Sequence, residues 1–144
     1  MSDRPIQILL VEDNPADIRL TREALKQCPV PCEVSVVEDG MEAVEFLQRE
    51  GRFADAPRPD LVLLDLNLPR LSGREVLARI KADPGLRRIP VIVLTTSEAQ
   101  EDVLGAYDLH ANSYVPKPVD LDRFMAVMGV IQTYWLSVVR LPRE

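Results

Sequence analysis

Three observations in the 144-residue sequence predict an α/β fold, an open doubly wound parallel sheet built as (βα)5. Five short apolar runs alternate with segments of helical period. Most of these runs are unbroken hydrophobics rather than alternating ones, the pattern of strands buried on both faces. The composition, 47% apolar and 28% charged, is that of one globular domain, here residues 1–144 with an apolar C-terminal extension from about 134 onward.

The expected strands are Ile6–Val11, 33–37, Leu61–Leu64, 91–94 and Ser113–Pro116. Asn14 followed by Pro15 reads as an N-cap and first helical residue, with Asp17 in the first turn. Ile18, Thr21, Leu25 and Cys28 share a face of that first helix, and Pro29 and Pro31 stop it. Gly40 opens a second helix facing inward through Ala43, Val44 and Leu47. Residues 48–59 are polar and rich in breakers, hence a surface loop. Ser72 caps a third helix with Val76, Leu77 and Ile80 inward, ended by Asp83-Pro84-Gly85. Residues 98–109 form a fourth with a thin stripe of Val103, Leu104 and Tyr107. Asp120 caps a fifth, along which Leu121, Phe124, Met125, Met128, Ile131 and Trp135 keep helical spacing.

Several function classes are disfavoured. Seventeen Lys and Arg against 23 Asp and Glu leave a net charge of −6, which suits neither nucleic acid nor an anionic membrane surface. The longest uncharged stretch, residues 124–139, falls short of a membrane span, and the start of the chain lacks a signal-peptide pattern, so a cytoplasmic location is expected. Cys28 and Cys32, with His110 as the lone histidine, are too few for a disulfide framework or a zinc site and read as packing residues. His110 and Tyr107 read as helix-end and packing positions, and Met125 and Met128 as core.

In an open parallel sheet, ligands lie beyond the carboxyl ends of the strands. Those ends carry Glu12 and Asp13, Asp65, Thr95 and Lys117. Three carboxylates close together need cationic compensation, which Lys117 and a hard divalent ion such as Mg2+ would supply. A carboxylate so placed is a nucleophile for phosphorus, and the chain has no Gly-rich nucleotide loop.

The segments Leu9-Leu-Val-Glu-Asp-Asn-Pro15, Val62-Leu-Leu-Asp-Leu-Asn-Leu-Pro69, Val93-Leu-Thr-Thr-Ser97 and Tyr114-Val-Pro-Lys-Pro118 resemble the signature set of two-component response regulator receiver domains, across about residues 5–133. The resemblance implies the flavodoxin-like receiver fold. It implies that Asp65 accepts a phosphoryl group from a sensor histidine kinase. It also implies Mg2+ held by Asp13 and Asp65, by the Asn67 carbonyl and, through water, by Glu12. Lys117 would pair with the phosphate across a cis bond to Pro118, Thr95 would bond the phosphoryl group, and Tyr114 would change rotamer in response. Such a domain catalyses only its own phosphorylation and slow dephosphorylation.

The Asp-Leu-Asn-Leu-Pro-Arg70 run, the loop before Asp60 and the tail Tyr134-Trp-Leu-Ser-Val-Val-Arg-Leu-Pro142 are similar to stand-alone regulators partnered with bacterial phytochromes. Thr96 is bulkier than the residue usual there, and Pro116 removes a donor, which suits an edge strand. The alternatives are an aspartyl-phosphate phosphohydrolase, disfavoured because Asn67 stands where its proton-shuttling Asp would be, and a phosphate-independent degenerate receiver. The tail's apolar residues either fold back on the fifth helix or, with helix four, strand five and helix five, form a homodimer contact.

Overall fold

The computed structural model describes residues 4–28 and 30–143. The chain runs β1 (Ile6–Val11), α1 (Pro15–Lys26), β2 (Cys32–Val37), α2 (Gly40–Gln48), β3 (Leu61–Leu64), α3 (Gly73–Ala82), β4 (Val91–Thr95), α4 (Gln100–Asp108), β5 (Ser113–Pro116) and α5 (Leu121–Ile131). All strand pairs are parallel, in the order β2-β1-β3-β4-β5. The chain moves outward from β1 to β2 and then crosses back to β3, so the order reverses between β1 and β3. Glu12, Asp13 and Asp65 leave the sheet at that switch point.

Successive side chains on a strand point to opposite faces, and two cores result. Leu9, Val11, Val62 and Leu64 pack against Phe46, Val76, Leu77 and Ile80 on the side of α2 and α3. Ile8, Leu10, Leu61 and Leu63 pack against Ala24, Leu25, Phe124 and Met128 on the side of α1 and α5. The continuous apolar runs are therefore buried twice over, and the less apolar edge strand β5 is the one that tolerates Pro116.

The expected caps of α1, α3 and α5 form, and Asp39 adds one to α2. Asn14 accepts from the amides of Ala16 and Asp17, Asp39 from Glu42, Ser72 from Glu75 and Asp120 from Asp122. Other expectations need correction. The first helix ends at Lys26, before Cys28, and Ala24 joins its buried face; Pro29 lies outside the described residues. On α2 the buried partner is Phe46, not Val44; its ring meets Phe53, 5.4 Å away and tilted by 58°, in a 3-10 turn (Gly51–Phe53) inside the expected loop.

Helix α4 is shorter than expected, and of its residues only Ala106 is fully buried; Leu104 is 54% and Tyr107 47% exposed. A small side chain lets the helix lie close to the sheet and turns the larger ones outward. His110 follows in the left-handed region (φ 69°) and donates its backbone N–H to Tyr107 O, so its backbone, not its imidazole, closes the helix.

The regular spacing of α5 stops at Ile131. Residues Gln132–Val138 continue as a wider turn, with the Val139 amide donating to Tyr134 O. That change of pitch puts Leu136 in the core and leaves Trp135 half-buried; Leu121, at the first residue of α5, is exposed. The tail is thus divided: Leu136, Trp135 and Leu141 fold back, while Tyr134 and Val138 stay outside. Arg143 pins its end, donating to the carbonyls of Arg4 and Pro5 beside buried Asp60.

Candidate functional site

Each site residue is placed by the end of a strand. β1 runs out at Val11, and the Asn14 amide then donates to Glu12 Oε2 at 3.1 Å, turning that carboxylate inward while Asp13 stays exposed. β3 delivers Asp65 into the rim, where the Asn67 amide donates to its Oδ1 at 3.1 Å. Gly73 opens α3 directly behind it, and a Cβ there would fall 2.2 Å from the Asp65 carbonyl oxygen, so only glycine fits. β4 ends in fully buried Thr95, whose hydroxyl donates to Asp65 Oδ1 at 2.9 Å.

Lys117 arrives from the opposite edge. Its backbone N–H donates to Thr95 O at 2.6 Å, extending the β4–β5 pairing by one residue. Its ammonium donates to Glu12 Oε1 at 2.5 Å, Asp17 Oδ2 at 2.9 Å and Asp65 Oδ2 at 3.2 Å. This reach is achieved with a trans bond to Pro118, correcting the expected cis bond; there are no cis peptides among the described residues. The strand extension already aims the side chain across the rim.

Burial and charge oppose each other here. Burial pushes the Glu12 carboxyl up to about 7, against the lowering pull of Lys117 and of the Asn14 amide. Burial also works against the charge on Lys117, but Glu12 and Asp17 outweigh it and hold the ammonium protonated above its ordinary range. Three carboxylates, Glu12, Asp17 and Asp65, thus share one ammonium, and Asp13 adds a fourth acid to the rim. Ligand oxygens of Glu12, Asp13 and Asp65 lie within 4.8 Å of one another. Carboxylate oxygens in excess of local cations, one of them on the exposed side, fit a hard divalent cation.

The structure therefore brings Glu12, Asp13, Asp65, Thr95 and Lys117 together, with Asn67 bonded to Asp65 through its backbone. Tyr114 stands apart, its hydroxyl donating to Ser97 O at 2.9 Å in the loop that follows Thr95. Thr96 is exposed and lines two cavities, of about 490 and 220 Å3, that flank Lys117 and Pro118. Asp17 was legible in the sequence only as an acid in a helix's first turn. The missed signal is its position one helical turn beyond the Glu12-Asp13 pair.

Comparison with known proteins agrees with this geometry. The family model for the response regulator receiver domain matches residues 8–128. Response regulator Rcp1 of Synechocystis sp. is 51% identical over 142 residues, 98% of this chain and 96% of Rcp1. The crystal structure of the phosphorylated cyanobacterial phytochrome response regulator RcpA superposes with a TM-score of 0.95 at 53% identity, over 97% of this chain and all of that one. The Mn2+-bound form of Rcp1 superposes with a TM-score of 0.94 at 48% identity, over 96% of this chain and all of that one. With its strand order, its acidic rim and its converging Lys and Thr, the chain belongs to the response regulator receiver family of two-component signalling.

Proposed function

We propose that this receiver takes a phosphoryl group on Asp65 from the phosphohistidine of a sensor kinase. The observation that carries the reading is the convergence on one carboxylate of the Lys117 ammonium and the Thr95 hydroxyl, from two different strand ends. A carboxylate oxygen of Asp65 attacks phosphorus as the P–N bond breaks, and the imidazole leaves with a proton from solvent. Such a transfer asks the protein mainly for position and charge neutralisation. The clustered carboxylates fit Mg2+, which Asp13, Asp65, the Asn67 carbonyl and Glu12 would hold, and when bound it would supply positive charge to phosphoryl oxygens. Lys117 would donate to the phosphoryl group, and Thr95 would trade its bond to Asp65 for one to a phosphoryl oxygen.

The output is a change of surface rather than turnover of another substrate. Withdrawal of Thr95 would pull on the β4–α4 loop, where Ser97 holds the Tyr114 hydroxyl, and so release Tyr114 to a new rotamer. The kinase is of the phytochrome class, supported by the names carried by RcpA and by the bacteriophytochrome response regulator AtBRR, 40% identical. The reaction with such a kinase would take place in the cytoplasm.

A homodimer built on α4, β5, α5 and the tail completes the reading. Leu104, Tyr107, Val130 (68% exposed), Tyr134 (51%) and Val138 (67%) support it as outward apolar residues on those elements. Incubation with an autophosphorylated phytochrome kinase should move label to the wild-type chain and not to Asp65→Asn; label on the variant would contradict the acceptor role. Sedimentation with and without beryllofluoride should show a dimer whose population responds to the phosphoryl mimic, and a monomer in both states would remove that part.

A further inference from the structure

We propose that Asp17 is a positioning residue for Lys117, one half of a two-sided hold that leaves a single ammonium N–H aimed at the phospho-acceptor. The inference rests on the acceptor role of Asp65. An ammonium has three N–H donors, and here each meets a carboxylate: Glu12, Asp17 and Asp65. The bond to Asp65 is the longest of the three, and it is the one an arriving phosphoryl oxygen would take over. The other two then decide where the ammonium stands when the phosphorus approaches.

The chain between those two holds is built for the purpose. Residues 12–17 wrap the ammonium as one short unit. The Asn14 amide fixes Glu12 from within, and the Asn14 side chain accepts from the amides of Ala16 and Asp17. Pro15 sets the first turn of α1, and Asp17 follows on that turn. The helix N-terminus favours a carboxylate there, within reach of Lys117. Asp17 differs from its neighbours in one respect: its oxygen is not among the group of Glu12, Asp13 and Asp65 that could share a cation. Its side chain is 24% exposed and lines the 220 Å3 cavity with Leu20, Pro118 and Leu121, at the mouth beside Lys117. It therefore acts on the lysine and not on the metal.

The test has two arms. In metal-free protein, the 15N-detected ammonium resonance of Lys117 reports how firmly its hydrogens are held. Exchange should quicken in Asp17→Ala and stay near wild type in Asp17→Asn, whose amide oxygen still accepts. In the second arm, phosphoramidate labels the chain at saturating Mg2+. The maximal rate should fall about tenfold in Asp17→Ala, the size of loss that a modest misplacement of a catalytic group produces. The half-saturating donor concentration and the Mg2+ affinity should hold, and Asp17→Asn should retain most of the rate. Asp17→Ser repeats the comparison should the alanine variant fold poorly. Wild-type labelling by Asp17→Ala, an equal loss in Asp17→Asn, or a loss traced wholly to weaker Mg2+ binding would each overturn the inference. Label appearing on Asp65→Asn would instead overturn the acceptor reading beneath it.

Discussion

Replacing Lys117 by Met removes the positive charge in the rim while roughly keeping the side chain's bulk. In the wild-type chain the side chains of Glu12, Lys117 and Asp65 are 4%, 5% and 8% exposed, so the acids would lose their counter-charge in a place water scarcely reaches. Breaking a buried ion pair by removing one partner costs about 3–5 kcal/mol. The loss should depend on pH with a definite sign. Glu12 already stands at about 7 in the folded chain, above its ordinary value of 4.5, and loss of Lys117 would raise it further. A folded-state carboxyl that holds its proton longer than the unfolded one makes stability fall as pH rises through the interval between the two values.

Urea unfolding should therefore show a large penalty for Lys117→Met at pH 8 and a smaller one at pH 5, where protons replace the missing cation. With a slope of about 2 kcal/mol per molar urea, the midpoint at pH 8 should drop by about 2 M. Mg2+ should restore part of it. A penalty below about 1 kcal/mol, unchanged between pH 5 and 8, is what an exposed pair would give and would refute the account of a buried, charge-matched rim.

Two further outcomes follow from the same geometry. Mg2+ has to displace the proton from Glu12, so calorimetry should find apparent affinity rising about tenfold from pH 6 to pH 8, as a carboxyl near 7 ionises, with proton release into the buffer; an affinity flat over that range would show that Glu12 is not linked to the cation. Gly73→Ala places a Cβ 2.2 Å from the Asp65 carbonyl oxygen, so thermal unfolding should register a loss of about 1–3 kcal/mol together with slower labelling, and a neutral effect would mean the α3 entrance has room to spare.

The sheet and the acidic rim were legible for a simple reason. Strands buried on both faces are mostly apolar, so β1, β3 and β4 end visibly where Glu12, Asp65 and Thr95 appear, and those residues belong to the site. What was hidden depended on distance across the fold or on helix pitch. Asp17 looks like any acid that favours a helix N-terminus; its role exists only because Lys117, one hundred residues later, reaches it. The Val103, Leu104 and Tyr107 stripe of α4 misled because Ala106 brings the helix in and leaves the larger side chains outside. Trp135 lost its expected phase because the wider turn after Ile131 advances the chain differently from an α-helix. The Lys117–Pro118 bond was expected to be cis from a family resemblance alone, and nothing local required it: the Lys117 amide bond to Thr95 O already directs the side chain over Asp65.

The central claim is that the Asp65 carboxylate itself becomes the mixed anhydride. Borohydride reduction of the chain after exposure to phosphoramidate and Mg2+, followed by tandem mass spectrometry, reads this directly, because an acyl phosphate on aspartate is reduced to homoserine. Homoserine at position 65 alone, absent when the donor or Mg2+ is omitted, is the expected result. Homoserine at position 13, or phosphate recovered on a histidine or serine with position 65 untouched, would contradict it.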